Sequence, residues 1–218
     1  MRKFFVMTFI FVLVFLTACS KKENVDFQRV SVNDVDNIQI EFGSTDVKVV
    51  SADIKELEAS LLLYDNGPGL KLDKEKGKIS IGVKNDMARL FKKKPELLVR
   101  IPIKFNGEII VNGTSGNVVG EDLQTQNLQV NARSGNVVLG FLQFHSNVYV
   151  KTTSGNVDVS LNDSEPDVAL HLKSNSGRRS VEINLDDHQQ NKKETKGKLG
   201  NGEYEVKLKT SSGNIALK

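Results

Sequence analysis

The tetrapeptide Ser-Gly-Asn-Val is written three times in one stretch, at Ser115–Val118, Ser134–Val137 and Ser154–Val157, spaced 19 and then 20 residues apart. A fixed period of about 20 residues marks a repeat whose units stack on one another. Ile109, Leu128 and Val148 each lie nine positions before the valine of their unit. Leu128-x-Val130-x-Ala132 and Val148-x-Val150-x-Thr152 alternate with polar residues, the period of a half-buried strand. Ser-Gly-Asn then breaks the strand, because glycine adopts φ > 0 and Ser and Asn hydrogen-bond their own backbone. Alternation resumes in Val137-x-Leu139 and Val157-x-Val159. Each unit reads as strand, corner, strand and return loop.

The same grammar recurs at both ends. Val206-x-Leu208-x-Thr210 leads to Ser212-Gly213-Asn214-Ile215, and Ile38-x-Ile40-x-Phe42 leads to Gly43-Ser44-Thr45-Asp46-Val47, again with nine residues from first to last apolar position. A degenerate copy pairs Leu170-x-Leu172 with Ser176-Gly177, and Arg178, Arg179 and Ser180 read as lengthening its corner by two residues. These copies predict an all-β fold. Residues 112–218 should form a β-solenoid, a single-stranded parallel β-helix-like coil, continuous with a less regular strand-rich region over residues 37–111. A right-handed coil is expected from the general bias of parallel crossovers. Val118, Val137, Val157, Val181 and Ile215 should line up as one buried column, and Leu128, Val148, Leu170 and Val206 as another. Gly116, Gly135, Gly155 and Gly213 should align at one corner with φ > 0. The competing fold is an antiparallel β-sandwich, in which successive repeats would pair as hairpins.

Residues 1–18 stand outside any fold. Arg2 and Lys3 precede an apolar run, Phe4 to Leu16, of thirteen residues. A membrane-spanning helix needs about 20 residues, so this run fits the core of a signal peptide. It ends in Leu16-Thr17-Ala18-Cys19, which resembles the bacterial lipobox. That resemblance implies that the Cys19 thiol takes a diacylglycerol and that the mature chain begins there, anchored to a membrane. The ordinary alternative is a secretory signal with an incidental cysteine. Cys19 is the single cysteine of the chain, which favours the lipobox and leaves no disulfide. Each buried lipid CH₂ contributes about 0.8 kcal/mol, so two or three chains hold durably. Ser20 gives no Asp-type retention signal, so in a two-membrane cell the outer membrane is expected. Residues 19–36 read as a polar tether.

Without Arg2 and Lys3 the chain carries 28 basic and 27 acidic side chains. That balance gives no reason to expect nucleic-acid binding. Between Ile38 and Val111, runs such as Leu61–Tyr64, Leu70–Leu72 and Ile79–Val83 are separated by turn clusters, so antiparallel hairpins are expected there. Asn85 to Lys94 reads as a short helix or a loop.

The order of these features resembles the bacterial β-strand-repeat "putative adhesin" family, a domain of unknown function with LiaG-like members. The matching elements are Ile38-x-Ile40 with Gly43 and Val47, the strand Val99-Arg100-Ile101-Pro102, the serial SGNV units, and Gly200-x-Gly202 followed by Ser212-Gly213-Asn214-Ile215. The match spans residues 37–218. It implies a β-repeat architecture and an envelope location, and its motifs are strand and corner residues.

No GxGxxG, P-loop, HExxH or GxSxG occurs. His145, His171 and His188 have no ligand spacing, so no metal and no cofactor are expected. Asp186-Asp187-His188 could form an acid/base or metal pair, but it sits in the polar insert from Asp186 to Lys198 and reads as a solvated loop. Asn117, Asn136, Asn156 and Asn214 are expected to stack as a structural ladder, amide bonded to amide. Lys92, Lys93 and Lys94 head an uneven basic run from Lys84 to Lys104, either a solvated face or a contact with anionic lipid or wall polymer. The chain therefore reads as an extracytoplasmic lipoprotein, a non-enzymatic adhesin-like binding or structural module whose partner is an envelope polymer or surface protein. Two other readings compete with it. One is a β-helix enzyme acting on polysaccharide, which the lack of Trp for sugar stacking disfavours. The other is an accessory component of envelope-stress sensing.

Overall fold

The computed structural model describes residues 24–63, 69–84 and 94–218. They form strands and no helix. The chain begins with β1 (Asn24–Val30), β2 (Val35–Gly43), β3 (Asp46–Ala52), β4 (Leu57–Leu63), β5 (Leu70–Glu75), β6 (Gly77–Val83) and β7 (Glu96–Pro102). The regular units follow as β8 (Glu108–Ser115) with β9 (Val118–Leu123), β10 (Asn127–Ser134) with β11 (Val137–Phe141), and β12 (Asn147–Ser154) with β13 (Val157–Ser160). Then come β14 (Val168–Ser176) with β15 (Arg179–Val181), a hairpin of β16 (Asp187–Gln190) and β17 (Glu194–Leu199), and finally β18 (Tyr204–Ser212) with β19 (Ile215–Leu217).

Strands leading into the corners make a ten-stranded sheet, ordered β16-β17-β14-β18-β12-β10-β8-β2-β6-β5. Strands leaving the corners make a nine-stranded sheet, ordered β1-β4-β7-β3-β9-β11-β13-β19-β15. We refer to these as the leading and trailing sheets. Seven coils run in parallel register through both, over about 29 Å at the usual strand spacing. Val137 pairs in parallel with Val157, so the antiparallel sandwich is excluded and the β-solenoid holds. The solenoid reaches further toward the N-terminus than the regular repeat, since β2–β3 and β6–β7 are themselves coils.

The inward residues build the two columns. In the leading sheet Ile79, Ile38, Ile109, Leu128, Val148, Val206 and Leu170 are in register and buried. In the trailing sheet the column is Leu97, Val47, Val118, Val137, Val157 and Ile215. Each such side chain contributes roughly 1.5–3 kcal/mol when fully buried. Val181 does not join this column. It pairs with Leu217, and Arg179 stands opposite Ile215. The corner at Ser176 is therefore no longer than the others, with Arg178 in the asparagine position and Arg179 in the valine position.

The order of the coils departs from the order of the chain. β18 lies between β12 and β14, and β19 between β13 and β15. The chain skips one slot after β13, builds β14 to β17, and returns to fill it. At the other end β2 and β3 form the first coil, and the chain adds β6–β7 on its outer side before crossing to add β8–β9 on its inner side.

Antiparallel strands close both ends. β5 covers β6, while β4 and β1 extend the trailing sheet beyond β7. Residues 24–36, read above as part of a tether, thus carry β1 and the start of β2. The inward positions of β1 include Asp26 and Gln28, which bind the Leu70 N–H and carbonyl at 2.7 and 3.1 Å and so tie the two sheets together. At the opposite end β17 pairs with β14 and β16 with β17. The insert read as a solvated loop is therefore an antiparallel hairpin, held because Thr195 turns inward and is buried. Arg179 completes this closure, donating to Thr195 Oγ1 at 3.1 Å and to the Asn191 and Lys192 carbonyls at 2.8 and 3.3 Å.

Candidate functional site

The corners set the geometry on which any surface of this molecule depends. Gly135 has φ +120°, and a Cβ there would lie 2.1 Å from the Gly116 carbonyl oxygen. Gly155 meets the Gly135 carbonyl in the same way at 2.0 Å. Glycine is thus required because each corner rests on the carbonyl of the corner beside it. Gly116 departs from the expected φ > 0, although its place is equally crowded, at 1.9 Å from the Thr45 carbonyl.

Beside the glycines runs a ladder. The Asp46 Oδ1 accepts the Asn117 N–H at 2.8 Å. Asn117 Oδ1 accepts the Asn136 N–H, Asn136 Oδ1 the Asn156 N–H, and Asn156 Oδ1 the Asn214 N–H, at 3.1, 3.0 and 2.9 Å. Asn214 Oδ1 accepts the Arg178 N–H at 2.8 Å. The bonds run from side-chain oxygen to backbone amide, not from amide to amide. A corner N–H that has left the strand ladder needs an acceptor, and the neighbouring asparagine supplies it. Inside the bend, Thr210 and Ser174 hydroxyls donate to the Gly155 and Gly213 carbonyls at 3.2 and 2.8 Å. The Thr152 hydroxyl is buried with no partner.

Lys94 lies against the start of this ladder. Its Nζ donates to the Ser115 carbonyl at 3.2 Å and stands 3.9 Å from Asp46 Oδ1. Lys92, Lys93 and Cys19 lie outside the described residues.

With the corners fixed, the outward side chains of the leading sheet fall into straight rows across the strands. One row carries Glu41, Asn112 and Asn131, in which Asn131 donates to Asn112 and Asn112 to Glu41, both at 2.9 Å. Toward the hairpin end, Tyr149 donates to Glu205 at 2.7 Å and Lys207 lies 2.6 Å from Glu205. The ammonium of Lys207 stands 5.4 Å from the centre of the Tyr149 ring. The bond to Lys207, then that from Tyr149, lowers the Glu205 pKa, and the bond to Glu205 raises that of Tyr149. Glu194 is lowered chiefly by its bond from Lys173. The trailing sheet faces outward with more carbon, including Phe27, Val25 and Val138, each at least 44% exposed.

Asp187 and His188 lie on β16, exposed along its whole length. Among the described residues no three His, Cys, Asp or Glu side chains are grouped to hold a metal ion.

The sequence profile of the Toastrack DUF4097 family matches residues 35–143 and, overlapping, 114–218. Among solved structures, a "putative cell adhesion protein" from Clostridium sporogenes is 19% identical, covers 90% of this chain and 99% of its own, and superposes with a TM-score of 0.67. A "putative adhesin" from Bacteroides fragilis is 14% identical, with coverages of 91% and 99% and a TM-score of 0.36. No curated protein matches the chain. The first of these likenesses is one of fold.

Proposed function

This chain belongs to the Toastrack DUF4097 family, and from that premise we propose that it is a non-catalytic, adhesin-like module of the bacterial envelope. It is held at a membrane through lipid on Cys19 and meets its partner with the outer faces of its sheets. The observation that carries this reading is the repetition itself. Seven coils, six of them locked by the glycine contacts and the asparagine ladder, present side chains in fixed rows about 4.8 Å apart. A surface of that kind recognises an extended or repeating partner by many weak contacts held in place. The name of the Clostridium sporogenes protein of like fold agrees with such a role, and Leu16-Thr17-Ala18-Cys19 supports the anchor.

Two measurements test the reading. Cys19→Ala should abolish fatty-acid labelling and leave unprocessed precursor in the membrane fraction; unchanged labelling would remove the anchor from the proposal. Cells displaying the anchored protein should also adhere to glycan- or matrix-coated surfaces better than cells lacking the protein. Equal adherence of the two would count against a binding role.

A further inference from the structure

Lys151, Lys209 and Lys173 stand abreast on the three adjacent strands β12, β18 and β14, each directly opposite the next and each turned outward. Like charges directly opposite on a sheet destabilise it. One end of the row is relieved, since Lys173 Nζ lies 2.6 Å from Glu194 on β17. Lys151 and Lys209 have no carboxylate at ion-pair distance among the described residues. The next row along the same strands holds Lys207, paired with Glu205 at 2.6 Å, and, across His171, Lys196, 4.0 Å from Glu194. A fold that keeps this repulsion between parallel strands of its solenoid holds a charge lattice that its own stability does not call for.

We propose that this lysine lattice on the hairpin end of the leading sheet binds a linear polyanionic envelope glycan, carrying one carboxylate or phosphodiester per repeat, across β12, β18 and β14. The lysines are spaced by about 4.8 Å across strands and by roughly 7 Å along them, on a rigid face, so a chain with regular charge meets several at once. Recognition by ammonium groups is by point charge and sets no demand on the shape of the oxyanion. A polymer is favoured over a bilayer by the order of the strands. β1, five residues beyond Cys19, is at one end of the trailing sheet, and the lattice lies on the leading sheet at the level of β13, β19 and β15, about 29–38 Å along the solenoid. That last step rests on the reading that Cys19 is the anchor.

The test is a titration of the full chain in neutral detergent with polygalacturonate and with poly(glycerol phosphate), at about 20 mM salt so that screening is weak. Both should bind. Lys151→Gln with Lys209→Gln should weaken both by about tenfold or more, with Tm unchanged or raised because the repulsion is gone. Lys151→Arg with Lys209→Arg should retain binding, and Lys55→Gln, in the loop between β3 and β4, should leave it as it was. Unchanged polymer binding by the double Gln variant would overturn the proposal. So would binding of phosphatidylglycerol vesicles through these lysines with neither polymer bound. Adherence and lipid labelling do not enter this titration, so its failure is distinct from failure of the anchored-module reading.

Discussion

Asn156 accepts the backbone N–H of Asn214, 58 residues later in the chain, while donating its own N–H to Asn136, 20 residues earlier. One side chain thereby joins a coil that follows in sequence to one inserted from far away. Only its oxygen is used. Asp46 does the same at the start of the ladder with a carboxylate, so Asn156→Asp should preserve more stability than Asn156→Leu. The Leu variant leaves the Asn214 N–H without its acceptor and should lose about 1 kcal/mol, read as a difference in denaturation midpoint. Equal loss by the two would mean that the amide nitrogen also matters.

Gly135→Val should destabilise by about 3 kcal/mol or more, because the backbone is at φ +120° and the Gly116 carbonyl occupies the place of the Cβ. Gln129→Val, on the outer face of β10, which leads into that corner, should change stability by no more than about 0.5 kcal/mol. Thermal unfolding of the pair measures the difference.

Two threonines at equivalent positions should behave oppositely. Thr152 and Thr210 are in register and both buried, but only Thr210 donates its hydroxyl, to the Gly155 carbonyl. Thr210→Val should cost about 1 kcal/mol, while Thr152→Val should be neutral or stabilising because it removes an unsatisfied polar atom. Chemical denaturation of both variants distinguishes them.

Acid should loosen the hairpin end first. Asp167 is lowered mainly by the Glu203 N–H, 2.8 Å from its Oδ1, and Glu194 and Glu205 mainly by their lysine partners. A carboxyl depressed in the folded protein makes the unfolded chain bind protons first on acidification. Its stabilisation is whole above the ordinary value, 4.5 for the two glutamates and 3.8 for Asp167, and is lost as pH falls through the folded values. Tm should therefore drop below pH 4.5, and below pH 3.8 the drop should be shallower in Asp167→Asn. An equally steep fall in that variant would place the acid sensitivity elsewhere.

The regular units were legible because strand period, corner and column all repeat within about 20 residues, and each level agrees with the others. The ends were not. β1 reverses the usual pattern, turning Asp26 and Gln28 inward and Phe27 outward, because it clasps β5 rather than entering the core. Arg179 occupies a valine position for the same reason at the other end, and no strand alternation announces a guanidinium that closes a sheet. The exposed strand β16 offers no buried period to read. The lysine row was equally hidden. Lys151, Lys173 and Lys209 are 22 and 36 residues apart in sequence, and only the insertion of β18 between β12 and β14 brings them together.

That insertion also governs the path by which the chain can fold. β12 and β14 are made before β18, and both carry the frame that pairs in parallel with it. Until residues 204–217 arrive, those two strands present complementary edges to each other across a slot one strand wide. Their direct pairing would be well formed and wrong, a kinetic trap that must reopen before the native coil enters. Contacts so distant in sequence are slow to close in any case. Refolding should show a slow phase whose amplitude falls when a peptide spanning residues 204–217 is supplied in excess from the start.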